Sequence, residues 1–345
     1  KSRTTSFKIG EKFMDEKQII QQIIDLKDEE IDKFIEQRTA ELEKTATEDR
    51  EQLSPFSIMM SRSAGVRENP EVVGYIPEKV HIAKRGMDIS SFILDDKSFY
   101  KTMINYIKEA KPNSVKVGDR VNNNYIMLMI QCAIINYFGL NATDRERDAL
   151  YDSKTDIEND DCTLSISDFK RNNTGMCVER SAVAQNILSF LGYNPMMIYG
   201  FASNEKDGTN VGHAFNCIIR NGKGMLIDFS NPIYKNGKFS KPAMFPINQE
   251  NLQQFMKGKG KIEVQHKDLC QENGIEKEDI TTWVYSSEEI DPKYFEVDKE
   301  DSTITPQDIT QSTKKIGLQD INGVVQDTRQ SQNQKTTTND QQISK

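Results

Sequence analysis

The chain has no apolar run approaching the 18 or so residues that a membrane-spanning helix needs, so no membrane span is expected. Its five cysteines (Cys132, Cys162, Cys177, Cys217, Cys270) include no Cys-x-x-Cys pair. An odd, unpatterned set in a chain of 345 residues excludes a disulfide framework and fits a reducing compartment, where a free thiolate persists. Histidine is scarce, with only His81, His213 and His266, and none is clustered with cysteine, which argues against a structural zinc site. No acidic cluster has the spacing of a calcium-binding loop, so no metal or other cofactor is expected. Hydrophobic residues make up 36% of the chain, below the roughly 45–50% (Gly included) of ordinary globular proteins. That balance implies one good core with polar extensions.

The net charge of −8 argues against nucleic acid as a partner. The charge is unevenly placed: fourteen acidic residues and seven basic ones lie between Glu11 and Glu51, so nearly all the excess sits in one segment. The expected compartment is cytoplasmic. The chain begins with Lys1 and not Met, which leaves a removed leader, and with it a secreted protein, open.

Four regions are expected. Residues 1–55 form an acidic helical segment behind a polar, disordered start. In residues 12–52, Ile20, Ile23, Ile24, Leu26, Ile31, Phe34 and Ile35 recur at three- and four-residue steps. The plainer reading is one or two amphipathic helices packed on the main domain. The sharper one is a hairpin or coiled coil that binds a protein partner, but the apolar positions hold no strict heptad. Residues 56–94, punctuated by Gly65, Pro70, Gly74, Pro77 and Gly86, read as an irregular linker. Residues 95–295 read as the main domain. Residues 296–345 contain no aromatic residue and read as a disordered polar tail.

Within the main domain the expected helices cover 96–110, 121–139 (capped by Gly139) and 177–191, with a further one at 248–257. Residues 141–172 read as a loop with short elements. Strands are expected at 196–201, 211–220, 225–229 and 281–285. Asn221-Gly222 marks a hairpin turn between the second and third of these.

Chemistry concentrates between residues 174 and 230. Cys177 follows Gly175 at the expected start of a helix. The positive end of the helix dipole favours thiolate over thiol, and its free N–H groups suit an oxyanion. Gly175 leaves room there for a substrate backbone. His213 lies on the strand Val211-Gly212-His213-Ala214-Phe215, and Asp228 sits in Leu226-Ile227-Asp228-Phe229. A two-residue turn at Asn221-Gly222 pairs Arg220 with Lys223 and Phe215 with Asp228. His213 and Asp228 then share a face, diagonally, at roughly 7–8 Å between backbones. A four-residue turn moves the partner of Asp228 to Cys217 and keeps the face. Taken singly, each residue has a plainer reading: Cys177 as a small buried hydrophobe, His213 as a structural strand histidine, Asp228 as a turn cap. Together they form a nucleophile, a base and an orienting carboxylate in chain order.

This pattern resembles the transglutaminase-like superfamily, a branch of the papain-like thiol enzymes. The resemblance is carried by Gly175-Met176-Cys177, Leu191-Gly192-Tyr193, Gly212-His213-Ala214-Phe215 and Asp228-Phe229-Ser230. It is clear over 170–232, faint over 95–170, and does not reach the N-terminal helices or the tail. It implies an α+β, papain-like core with the Cys-bearing helix packed on an antiparallel sheet. Cys177 would be the nucleophile, His213 the general base and acid, and Asp228 the residue that orients it. The implied activity is thiol-dependent acyl transfer or amide hydrolysis on a protein or peptide, of protease, deamidase or transglutaminase type, with water favoured over an amine as acceptor. Two features depart from the family. Phe215 stands where many members have Trp, and no Trp precedes Cys177, the only one being Trp283. Gln131, Asn172 or Asn173 are then the candidate side-chain donors to an oxyanion. Arg171 and Cys177-Val178-Glu179 also faintly resemble the arylamine N-acetyltransferases. A non-enzymatic binding scaffold with a relic triad is the remaining alternative.

Overall fold

The computed structural model describes residues 15–50, 71–78, 82, 90–139, 144–154, 162–204, 210–220, 223–235, 238–248, 250–251, 254, 261–272 and 275–286. The tail from 296 onward, the start before residue 15 and most of the helix expected at 248–257 lie outside these residues.

The N-terminal segment is two helices, α1 (Glu16–Asp25) and α2 (Ile31–Arg50). Asp15 starts α1 by accepting the Gln18 N–H, while the Gln18 side chain returns to the Asp15 N–H, a reciprocal cap that satisfies two orphan donors. Ile19, Ile20 and Ile23 of α1 and Ile31 and Ile35 of α2 are buried in the larger of two apolar clusters, together with the helices of the main domain. Their apolar stripe is thus covered by helix α3 (Ser98–Glu109) and by the Cys177 helix, the plainer of the two readings of this segment.

Between these helices and the main sheet lie β1 (Glu71–Val73), β2 (Ser90–Ile93), the short α4 (Pro112–Val115), the β3–β4 pair (Lys116–Val117 and Arg120–Val121) and α5 (Asn123–Phe138). The polar stretch expected to be a loop with short elements does hold short ones, and one longer helix besides. It holds α6 (Asp144–Lys154), β5 (Cys162–Ser165) and α7 (Ile166–Asn172). The reason is tertiary: β5 pairs in parallel with β2, and Tyr151 and Phe169 meet edge to face, so a few apolar anchors order a polar sequence.

Helix α8 (Cys177–Phe190) is central, and every residue from Val178 to Phe190 is buried. The sequence stripe Ala184, Ile187, Leu188 is only one face of it. The opposite face is polar and hydrogen-bonded: Gln185 holds the Gly74 and Pro195 carbonyls, and Asn186 holds both the N–H and the carbonyl of Ile76. Ser181 donates to the Ala214 carbonyl and Asn216 donates to Ser181 and Gln185. A buried polar face is tolerated only because it finds these partners. At the far end, Arg38 of α2 donates to the carbonyls of Ser189 and Phe190, placing a cation on the orphan acceptors of the helix C-terminus.

The sheet is antiparallel and nearly a barrel. It comprises β6 (Pro195–Asn204), β7 (Asn210–Arg220), β8 (Lys223–Lys235), β9 (Lys238–Ile247), β10 (Lys261–Glu272) and β11 (Ile275–Ser286), in the order β10-β11-β6-β7-β8-β9, with β1 also paired to β6. β10 comes back into contact with β8. One face carries its own apolar cluster, including Ile198, Phe215, Leu226, Phe245 and Tyr285. The other face, with Met197, Ala214, Ile227 and Phe229, packs against the helices. The protein is therefore a mixed helix-and-sheet fold with the Cys177 helix laid on an antiparallel sheet. Among the described residues no helix is long and apolar enough to cross a membrane.

Candidate active site

The turn that presents Cys177 is fixed from three sides. Asn173 ends α7 in the left-handed conformation, at φ 53°, and the Thr174 N–H returns to the Phe169 carbonyl. Arg180, one turn into α8, donates to the carbonyls of Gly175 and Gly139. The Phe138 ring occupies the space that a Cβ on residue 175 would fill. That corrects the expectation for Gly175: the missing side chain makes room for Phe138, not for substrate. Backbone closeness here is set by core packing. Met176 is extended, and its N–H donates to Glu179 Oε2 at 2.9 Å, so Cys177 begins the helix.

The hairpin of β7 and β8 has the register that a two-residue turn dictates, with Arg220 opposite Lys223. Its regular ladder stops at Asn216 and Ile227, one rung before Phe215 and Asp228. There the pairing of β8 with β9 also breaks, six residues of β8 (Asp228 to Ile233) lying opposite only three of β9 (Ala243 to Lys241). Such a bulge re-aims side chains locally. It turns the Ser230 N–H back onto Asp228 Oδ1 at 2.9 Å and the Asn231 amide onto Oδ2 at 2.8 Å.

His213 and Asp228 meet as their shared face requires, Nε2 to Oδ2 at 2.8 Å. Asp228 is fully buried and His213 is 8% exposed. The Tyr285 hydroxyl of β11 also donates to Asp228 Oδ2, at 2.9 Å. With Nε2 engaged by Asp228, Nδ1 is the ring nitrogen left to serve Cys177, whose thiol lies within electrostatic reach of the imidazole. The three sequence candidates thus come together, drawn from α8, β7 and β8.

The electrostatics follow from this geometry. Burial pushes the Cys177 thiol up, but the hydrogen bond and charge of His213, with the Ala214 N–H, outweigh it and hold the thiol below its ordinary value. Burial disfavours charged His213, yet the Asp228 carboxylate and the thiol raise it well above its usual range. Burial likewise disfavours ionised Asp228, but His213, Asn231 and Ser230 bring it down to about 2. These shifts run toward a thiolate–imidazolium pair backed by a carboxylate. Cys132 and Cys217, buried without such partners, are each pushed up to about 12 by desolvation alone or nearly so.

Sequence reasoning nominated Gln131, Asn172 and Asn173 as further donors. Gln131 donates to the Phe229 carbonyl and Asn172 to the Asp168 carbonyl, so both amides serve the framework around the site. The Asn173 side chain lies against Gly139. Tyr285, Asn231, Glu179 and Arg147 were not foreseen. Glu179 stands at the capping-box spacing from Met176, and Asn231 three residues past Asp228, so both left a local signal. Tyr285 and Arg147 left none, because strand pairing and helix packing bring them in from far along the chain. Among the described residues no three His, Cys, Asp or Glu side chains gather as they would around a metal ion. No family model, curated protein or solved structure matches the chain.

Proposed function

We propose that this chain is a thiol-dependent acyl-transfer enzyme that acts on an amide of a protein or peptide, with Cys177 as nucleophile, His213 as general base and acid, and Asp228 as the group that orients it. One observation carries the reading: a partly exposed cysteine at a helix N-terminus shares one imidazole with a fully buried, four-fold hydrogen-bonded carboxylate. A structural histidine needs no thiol, and a structural cysteine needs no imidazole. A helix packed on an antiparallel near-barrel, with the residues in the order Cys, His, Asp, also suits a papain-like core of transglutaminase type.

In this mechanism the Cys177 thiolate attacks the amide carbonyl. Backbone N–H groups at the start of α8 face the developing oxyanion. His213 gives its Nδ1 proton to the departing amine, leaving a thioester on Cys177. Neutral His213 then takes a proton from water, which attacks the thioester and releases the acid. An amine in place of water gives a new amide. Hydrolysis is the favoured outcome.

The test is intact-mass spectrometry of a glutamine-containing peptide incubated with the protein, with and without a primary amine. Deamidation or cleavage indicates hydrolysis, and a gain of the amine's mass indicates transfer. Each must vanish in Cys177→Ala. A thiol-reactive probe that labels wild type and Cys177→Ala equally would remove the nucleophile assignment.

A further inference from the structure

The carboxylate closest in sequence to the nucleophile is oddly placed for thiolate chemistry. Glu179 lies two residues into the helix that Cys177 begins, is fully buried, and opposes the thiolate by its charge. A negative group in the first turn competes with the thiolate for the same positive end of the helix. It also has a use, because its Oε2 accepts the Met176 N–H and so fixes the backbone that presents Cys177. A buried carboxylate with that use needs a cation.

Arg147 supplies it. From α6, thirty-two residues away, its Nη2 and Nε reach Glu179 Oε1 at 2.7 and 3.1 Å. The guanidinium lies over the Tyr151 ring, 5.5 Å from its centre, and within electrostatic reach of the Cys177 sulfur. The other charged groups around the helix are accounted for. His213 of β7 faces the thiol directly, and Asp228 of β8 acts on it through the imidazole. Arg180 is turned to the Gly175 and Gly139 carbonyls. From β6, Tyr199 gives its hydroxyl to Ile82. Arg38 and Tyr100, from α2 and α3, meet the helix at its far end, on Phe190 and its neighbour Ser189.

We infer that Arg147 is a positioning residue of this site: by holding Glu179 in an ion pair it lets a buried carboxylate shape the nucleophile's turn without opposing the thiolate. Arg147 does not touch the reacting atoms. Its effect passes through Glu179, so the two residues must behave as a coupled pair. The inference rests on the reading of Cys177 as an activated nucleophile.

The experiment is the pH dependence of Cys177 alkylation by iodoacetamide, followed by peptide mass mapping on the full chain, for wild type, Arg147→Met, Glu179→Gln and the double variant. Arg147→Met, which leaves the carboxylate unopposed, is expected to move the midpoint upward by about one pH unit, so that the rate on the acid limb falls about tenfold. Glu179→Gln leaves the cation alone beside the thiolate and moves the midpoint downward. The double variant returns to within about threefold of wild type, a non-additivity expected of directly coupled groups. Arg147→Met with a wild-type profile, or a double variant as slow as Arg147→Met, overturns the inference. Should Arg147→Met fail to fold, Arg147→Lys keeps the charge and must keep the wild-type midpoint, and Glu179→Gln must still lower it. An unshifted Glu179→Gln then overturns the inference. If wild-type Cys177 itself titrates as an ordinary thiol, the nucleophile reading fails and takes this inference with it. If it is activated in wild type and indifferent to Arg147, only the inference fails.

Discussion

Tyr285 hydrogen-bonds the same oxygen of Asp228 that His213 uses, its hydroxyl 2.9 Å from Oδ2, although the two residues lie fifty-seven positions apart. Asp228 therefore accepts from His213, Asn231, Tyr285 and the Ser230 N–H together. Ionised carboxylates in apolar surroundings survive only with such a set of donors. Tyr285→Phe removes one donor and adds no bulk. The expected loss is about 1.5–3 kcal/mol of unfolding free energy, the worth of a hydrogen bond to a charged group. Cys177 alkylation at pH 6 should also slow several-fold, since a less anchored carboxylate supports the imidazolium less well. Urea unfolding and alkylation kinetics on the same preparations check both. Unchanged alkylation would separate Tyr285 from the site's electrostatics.

Reactivity should single out one cysteine. An ordinary thiol is only a fraction of a per cent ionised at pH 6, and the pairing with His213 shifts Cys177 toward the thiolate. Even after allowance for the lower nucleophilicity of a less basic thiolate, Cys177 should react with iodoacetamide several-fold faster than a free model thiol at pH 6. Cys132 and Cys217, held near 12 by burial, should stay unlabelled in the folded protein. His213→Ala removes the largest influence favouring the thiolate, so its Cys177 should regain an ordinary alkaline profile. Peptide mapping after a short alkylation pulse at pH 6 and pH 9 reads all three sites.

Acid should weaken the fold through Asp228. Its folded value of about 2 lies below the roughly 3.9 of an unfolded aspartate. A depressed carboxylate contributes stability that is fully present above the unfolded value and is lost as pH falls toward the folded one. The window is thus about pH 4 down to about pH 2, and the size is on the order of 2–3 kcal/mol for this fully buried group. His213 shifts the other way: its contribution is present below the unfolded value near 6.5 and is lost as pH rises through the raised folded value. Between pH 3 and 5 it is charged in both states and contributes a constant. The stability gap between wild type and Asp228→Asn should therefore narrow from pH 5 to pH 3, as urea unfolding at the two values would show. A gap independent of pH would mean that Asp228 is not ionised in the folded state.

Much of this site was legible in the sequence because its key contact is local. Strand parity across Asn221-Gly222 puts His213 and Asp228 on one face for either turn length, and the helix of Cys177 is signalled by Gly175 before it and Gly192 after it. The same logic found the helices at 98–109 and 123–138, whose apolar content is dense. It failed where order comes from distant partners. Helix α6 is too polar to be recognised alone, yet it carries Arg147. Strands β9 and β10 were not among the expected strands, one being interrupted by Pro242 and Pro246 and the other largely polar, yet they extend the near-barrel that holds Tyr285 over Asp228. Gly175 was legible as a site needing room, but the sequence could not tell that Phe138 takes that room.

That close approach has its own consequence. Gly175→Ala would place a methyl group inside the Phe138 ring, whose position is fixed by edge-to-face packing on Tyr137 and by Arg180 above it. Overpacking of this kind costs about 1–3 kcal/mol. The turn itself must also shift, so Cys177 alkylation should slow along with the loss of stability. Pairing the change with Phe138→Leu, which frees the space, should recover part of both. Thermal unfolding and alkylation rates of the single and double variants test it, and a neutral Gly175→Ala would mean that the turn relaxes at no cost.

Arg38 joins α2 to the C-terminal end of the very helix that Cys177 begins, and Phe34 packs edge to face on Phe190 beside it. A segment that served only to bind a partner would leave the helix end to be capped by something else. Arg38→Met keeps much of the aliphatic packing and removes the cation from two buried carbonyls, which should cost about 2–3 kcal/mol. The two regions share one apolar core, so they should unfold together. Loss of helix by circular dichroism and exposure of Cys132 to a thiol reagent should then follow one urea transition, displaced to lower urea in Arg38→Met. Two separate transitions, with Cys132 still protected after the first, would mean that α1 and α2 are an independent module resting on the fold.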